Sequence, residues 1–117
     1  MPVQLVRRPV PIPVPGGKII EEHVGRVASG TTSVSVAHMV APAGWGEPPQ
    51  APRFDEVTVV VRGRMRAETA EGTFDVGAGE SLIVPAGVRV TYSNPFPESA
   101  EYWAICAPAF SVEDAGR

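Results

Sequence analysis

Gly79-Glu80-Ser81-Leu82-Ile83-Val84-Pro85-Ala86-Gly87-Val88-Arg89-Val90-Thr91-Tyr92-Ser93-Asn94 reads as two short strands folded about a rigid corner. Its aliphatic and β-branched residues suit a pleated, half-buried surface. Pro85 fixes φ at the bend between them. Gly79 and Gly87 stand where turns need a positive φ or a close backbone approach. Asn94 ends the stretch with a side chain that bonds its own backbone in the next turn.

The same rhythm extends outward in both directions. The patterning predicts strands over 18–27, 33–41, 56–62, 64–69, 73–76, 81–84, 88–92 and 101–106, with Gly, Pro, Asn and Ser between them. Short strands at near-regular spacing predict an all-β barrel or sandwich. Thirteen prolines and twelve glycines, about twice the usual share, argue against helices for the same reason. A length of 117 residues predicts one domain with a real core, and 44% hydrophobic against 20% charged residues predicts a globule rather than a disordered chain. No internal repeat is visible.

Composition also excludes functions. A net charge of −3 leaves no electrostatic footprint for nucleic acid and no attraction to anionic lipid. A single cysteine, Cys106, forbids an intrachain disulfide framework. No apolar run approaches the ~20 residues of a membrane span, and the first residues do not read as a signal peptide, so a cytoplasmic protein is expected.

Five of the prolines fall in residues 1–17, four of them in the run Arg8-Pro9-Val10-Pro11-Ile12-Pro13-Val14-Pro15. Alternating proline removes every second N–H, so this segment is expected as an extended arm, along a sheet edge or across a partner subunit. Residues 18–112 are expected to form the barrel and 113–117 a tail. In 56–62 the valines lie on both faces, which predicts cover on both sides, by the arm or by a second subunit; a homodimer is expected. Arg62, Arg64 and Arg66 alternate and are expected to share one solvated, ion-paired face with Glu68, Glu71 and Asp75 close by.

The stretch from Gly44 through Gln50, Pro52 and Glu56 to Gly63, taken with that from Gly79 to Asn94, resembles the two signature motifs of the cupin superfamily. The first motif is a glycine, five residues, His-x-His, three or four residues, a glutamate, six residues and a glycine. The second is a glycine, five residues, Pro-x-Gly, two residues, a histidine, three residues and an asparagine. Gly44, Glu56 and Gly63 fit the first without a gap, and Gly79, Pro85, Gly87 and Asn94 fit the second. The resemblance spans about residues 34–110 and implies a double-stranded β-helix, a jelly-roll-like barrel. With Phe54-Asp55-Glu56 leading into the valine-rich strand, the chain is similar to the compact cupins related to EutQ.

Cupins typically hold a divalent metal through the three motif histidines and the glutamate. Here Gln50, Pro52 and Val90 occupy the histidine positions and only Glu56 remains. One carboxylate and an amide make a poor site for zinc, iron or manganese, so no cofactor is expected. The resemblance points Glu56 into the barrel, and strand parity then places Thr58 and Val60 inward with it. Val88, Val90 and Tyr92 share the facing strand's inner side, and Tyr102 and Cys106 are expected inward on the last strand. His38 and Trp45 are read as further lining residues, Trp45 either capping the mouth or packing on another chain. Cys106 is expected as an inert buried thiol, and Gln50 and Glu47 have a plain reading as solvated loop residues.

A small-molecule ligand is expected in such an interior. Burial among valines and aromatics should raise the pKa of Glu56, which suits a general acid or base beside a carbonyl. Tyr92 would donate to a developing oxyanion and Gln50 would orient a polar group. The expectation is a metal-independent isomerase, cyclase or lyase. Two rivals stay open: a ligand-binding or sensor module without turnover, and a metal-dependent dioxygenase or lyase that recruits its ion through Gln50, Glu56 and His38.

Overall fold

The last strand, Ala100–Ala107, alternates so strictly that its two faces have different chemistry: Ala100, Tyr102, Ala104 and Cys106 are buried, whereas Glu101, Trp103 and Ile105 lie half-buried on the other side. In a computed structural model that describes residues 2–116, this strand sits at the middle of the larger of two antiparallel sheets. Met1 and Arg117, the outer ends of the expected arm and tail, lie outside the described residues. The elements in chain order are β1 (Val10–Pro11), β2 (Ile19–Val24), β3 (Ser35–Ala41), β4 (Asp55–Arg62), β5 (Arg64–Thr69), β6 (Gly72–Gly77), β7 (Ser81–Val84), β8 (Thr91–Ser93), β9 (Ala100–Ala107) and a 3-10 turn at Glu113–Ala115. The sheets run β1-β2-β3-β9-β4-β7 and β6-β5-β8.

Register carries the alternation across the larger sheet. Cys106 pairs with Ser35 on one side and Glu56 on the other, Ala104 with Ala37 and Thr58, and Tyr102 with Met39 and Val60. These rows face inward onto Met65, Ala67, Val76, Val90 and Tyr92, which complete the core from the opposite wall. Small residues (Ala37, Ala41, Ala67, Ala100, Ala104) let two tyrosines and a methionine fill one narrow interior.

The arm region supplies a short edge strand. Val10 and Pro11 pair with Glu22 and Glu21, and the Ile12 N–H donates to the Ile20 carbonyl at 2.9 Å. Proline is tolerated there because one edge of β1 needs no partner. At the other end, the 113–116 segment packs back on the barrel: Ala51 N–H donates to the Gly116 carbonyl at 3.2 Å and Arg53 N–H to the Asp114 carbonyl at 2.7 Å.

The arginine row does not survive folding. The register slips between Val60 and Arg62, and Gly63 turns the chain with φ +76° where a Cβ would overlap the Ser99 carbonyl. Arg62 therefore stays on the larger sheet while Arg64 and Arg66 move to the smaller one. There both guanidiniums lie over Phe96, at 4.0 and 5.4 Å from its centre, and Arg66 Nε bonds Asp75 at 2.8 Å. That exposed ion pair is screened by solvent and adds little to stability.

Asn94 fastens the loop that follows β3. It is fully buried, and its Nδ2 donates to the carbonyls of Ala41, Pro42 and Glu98 at 3.1, 3.3 and 2.8 Å, while Oδ1 accepts from Phe96 N–H at 3.1 Å. Its backbone joins the same loop, since Gly44 N–H donates to its carbonyl and its N–H donates to that of Trp45. Removing the amide leaves several buried groups without partners, at about 1–3 kcal/mol each before relaxation. Asn94→Ala is expected to lose about 3 kcal/mol in urea unfolding, and Asn94→Asp at least as much, because a carboxylate cannot donate to three carbonyls.

Candidate functional site

Glu56 comes inward from the second position of β4, between Val84 of β7 and Cys106 of β9. The Cys106 thiol donates to Glu56 Oε2 across 3.9 Å, and Ser35 lies against the same sulfur. Tyr92 reaches toward this carboxyl and toward Thr58 from the facing wall. Glu56 Oε1 and the Tyr92 hydroxyl are both sealed from solvent, and neither closes a hydrogen bond among the described residues.

The electrostatics follow from that sealing. Burial pushes the Glu56 carboxyl above the ordinary carboxylate range, and the charge of Glu47 adds to the rise. The Tyr92 hydroxyl, Lys18 and the Cys106 thiol pull it back only in part. Burial likewise raises both tyrosines: Tyr92 with the charge of Glu56 beside it, Tyr102 with those of Glu47 and then Glu56. The Cys106 thiol is pushed up to about 12, by burial first and by Glu56 second. At neutral pH it is an un-ionised thiol, the inert form expected of it.

Above this floor the mouth is closed by the 42–53 loop. Gln50 bridges Val90 through two backbone hydrogen bonds of 3.0 and 2.8 Å, which leaves the two side chains neighbours on the inner face. Gln50 is 6% exposed, and its Nε2 donates to Glu47 Oε1 at 3.1 Å, so neither residue is a plain solvated loop group. Trp45 is 8% exposed and packs into the core, which makes it the cap of the barrel. Lys18 lies over it, with Nζ 4.0 Å from the centre of its ring. Two cavities open elsewhere, of about 210 Å³ beside Arg64 and Phe96 and about 140 Å³ beside Gln4 and Val24.

Of the residues expected to line the interior, Glu56, Thr58, Val60, Val90, Tyr92, Tyr102, Cys106, Gln50 and Trp45 come together. His38 does not. It pairs with Trp103 on the outer face of the larger sheet, where Nε2 bonds Glu101 Oε2 at 2.8 Å and Nδ1 approaches Glu21 Oε1 at 3.5 Å. The physical reason is parity: β3 turns Ser35, Ala37, Met39 and Ala41 inward and therefore turns His38 out. His23 joins it there, its ring centre 5.1 Å from that of Trp103, against 5.0 Å for His38. Lys18 and Glu47 are the site residues that strand patterning missed. A lysine after two glycines and a glutamate inside a proline-rich loop carry no periodicity, so only the folded loop shows where they point.

The family model for the cupin domain matches residues 36–106. The chain belongs to the cupin family. This cupin is 46% identical over 102 residues to the endoribonuclease YbeY of Myxococcus xanthus; that match takes in 87% of the chain but spans only 35% of the relative's length. An oxalate decarboxylase variant of Bacillus subtilis superimposes with a TM-score of 0.78 at 18% identity, covering 93% of this chain and 30% of that one. The EutQ protein of Clostridium difficile does so with a TM-score of 0.64 at 15% identity, over 81% of this chain and 72% of that one. At such identities the two solved structures show the fold, and the double-stranded β-helix is common to all three chains. Among the described residues no helix is long and apolar enough to cross a membrane.

The metal that ordinary cupins carry does not fit the residues here. Its ligand positions hold Gln50, Pro52 and Val90, and the described residues contain no cluster of three or more His, Cys, Asp or Glu side chains able to hold an ion. Glu56 has one thiol beside it, at 3.9 Å, and that thiol is un-ionised. A thiolate donor would have to be created before any ion was held.

Because burial keeps Glu56 protonated to a higher pH in the folded chain than in the unfolded one, the native state binds the extra proton between the two pKa values. Stability attributable to this group is therefore greatest below the unfolded carboxylate pKa of about 4.3 and falls as pH rises toward the folded value. Urea unfolding of wild type and Glu56→Gln from about pH 4 to about pH 8 is expected to show the wild type losing ground as pH rises, until the folded pKa is passed. The loss is about 1.4 kcal/mol for each pH unit that separates the two pKa values.

Proposed function

We propose that the barrel binds a small polar organic molecule and that Glu56 moves a proton on it without a metal. The observation that carries this reading is the pair of sealed groups, Glu56 Oε1 and the Tyr92 hydroxyl, left without partners on one inner surface. An unsatisfied buried polar atom costs about 1–3 kcal/mol, a cost that a bound oxygen placed between the two groups would relieve. Perturbed carboxyls of this kind concentrate at functional sites.

The chemistry follows from the two environments. A carboxylate whose conjugate acid has a raised pKa is a stronger base than an exposed one, so it takes a proton from carbon beside a carbonyl more readily. The electrons left behind move onto the carbonyl oxygen, and the Tyr92 hydroxyl, held un-ionised by burial, donates to it. Glu56, now protonated, returns its proton to a neighbouring carbon in an isomerisation, or to a leaving group in an elimination. Gln50 and Thr58 fix the orientation, and Val60 and Val90 supply the apolar floor. Entry requires the Trp45 ring to swing away from the mouth.

A second reading has its own support. The Myxococcus relative is named for RNA cleavage, and the matched segment is about a third of it, so domains of this sequence ride in longer chains. In that reading the barrel is a binding module without turnover, and nuclease work belongs to another part of the longer protein. The net charge of −3 favours placing that work outside this domain, and neither histidine lines the barrel interior.

Thermal-shift screening against small acids, keto-acids, sugars and aromatic carbonyl compounds is expected to find a stabilising class. With a ligand in hand, Glu56→Gln should keep the thermal shift and lose about 10²–10⁴ in turnover. Loss of binding alone, with no product from wild type, would establish the module. Metal analysis of protein purified without chelator is expected to give well under one ion per chain, and near-stoichiometric iron, manganese or nickel would overturn the metal-free reading.

The homodimer belongs to the same proposal. Val24, Val36, Ile105, Val57 and Ile83 form a continuous cross-strand row on the outer face of the larger sheet, with Ile83 68% exposed at its end. A β-branched row of that length asks for cover. Light scattering is expected to report a dimer, and Ile83→Lys to shift it to monomer without unfolding the barrel.

A further inference from the structure

Lys18 stands between the Gly16-Gly17 pair and the first residue of β2. Its ammonium lies 4.0 Å from the centre of the Trp45 ring and 5.4 Å from that of Tyr102. Those are the distances at which a cation is held by the negative faces of aromatic rings. The two rings arrive from independent elements, the 42–53 loop and β9. Glu47 stands near enough for its charge to act on Tyr102 and on Glu56 below. The mouth of the barrel is therefore a two-ring cage with an acidic wall, and the chain's own ammonium occupies it.

Two glycines precede that ammonium. Gly16 and Gly17 have φ of +83° and +75°, a region closed to most side chains. Gly16 also lies against the cage, since a Cβ there would come 3.5 Å from Trp45 Cδ1. A primary ammonium is a compact, strongly hydrated charge on a flexible stem. An alkylated ammonium is less hydrated and gains more from the same two rings once desolvated.

We infer that the mouth of the barrel is a binding site for a small organic cation, an alkylammonium bearing a hydroxyl or carbonyl oxygen, which displaces Lys18 from the Trp45–Tyr102 cage and sends its oxygen down toward Glu56 and Tyr92. The inference rests on the reading of the barrel as a small-molecule site and supplies its ligand class. It assigns Lys18 as a resident competitor rather than a ligand-binding group.

The test uses choline as the probe and the indole N–H resonances of Trp45 and Trp103 as the readout, the chain having two tryptophans. Choline is expected to shift the Trp45 resonance and leave Trp103, on the outer sheet face, in place. In Lys18→Met, checked for a folded spectrum, half-saturation should fall about tenfold, because the competitor is gone. Glu47→Gln should weaken binding severalfold, and 3,3-dimethylbutanol, the uncharged counterpart of choline, should not compete. No Trp45 shift in Lys18→Met, equal affinity in wild type and Lys18→Met, or equal binding of the uncharged compound would each overturn the cage. Glu56→Gln separates this from the proton-transfer reading. If choline binds Glu56→Gln normally but no Glu56-dependent turnover is ever found, the cage stands and the chemistry falls. If turnover on an uncharged substrate depends on Glu56 and choline does not bind, the cage falls and the chemistry stands.

Discussion

β4 is hydrogen-bonded along both edges, to β7 on one side and β9 on the other, and that double pairing fixes which way every one of its side chains points. A slip of one residue would turn Glu56, Thr58 and Val60 out to the sheet's apolar outer face and bring Val57 and Val59 in. Glu56 is thus held in a position it would leave if solvation alone decided. The neighbouring small side chains, Ala37 and Ala104 in particular, leave room for a tyrosine to approach it from the opposite wall. The raised carboxyl and the un-ionised thiol both follow from that one enforced register.

The fold was readable because its signals are local. Gly79 and Gly87 do adopt positive φ, at +84° and +86°, and Asn94 does bond the backbone of the turn after it, so the spacing of turn residues marked real turns. Alternation found the inward set of β4 once one anchor, Glu56, was placed, whereas the inward reading of Tyr102 and Cys106 on β9 rested on no anchor. The same alternation failed for His38 because β3 had no anchor. Parity groups Val36, His38 and Val40 together, but nothing in the strand itself says which group faces the core. The arginine row failed for a related reason: a single glycine with left-handed φ at 63 breaks the strand, and alternation read through it joins residues of different sheets.

Loop residues of the site were the least legible. Trp45, Glu47 and Gln50 are brought together by backbone bonds between the 42–53 loop and 90–94, contacts between residues about forty to fifty positions apart. The sequence leaves Gln50 and Glu47 readable as solvated loop residues, when the backbone of their loop is in fact tied to 90–94 along much of its length. Lys18 owes its place to the turn before β2 and to two rings contributed from elsewhere. Such convergence is a property of the closed barrel and leaves no trace in spacing.

The short 3-10 turn at the C-terminal end is bonded to Ala51 and Arg53, immediately beyond Gln50 and just ahead of Glu56. Gly116 is seated so tightly that a Cβ there would overlap the Ala51 carbonyl. Tension or rotation applied at this terminus, by any polypeptide continuing from it, would be delivered straight to the rim of the barrel. The far end of the chain is thereby geared to the mouth, like a handle to a latch.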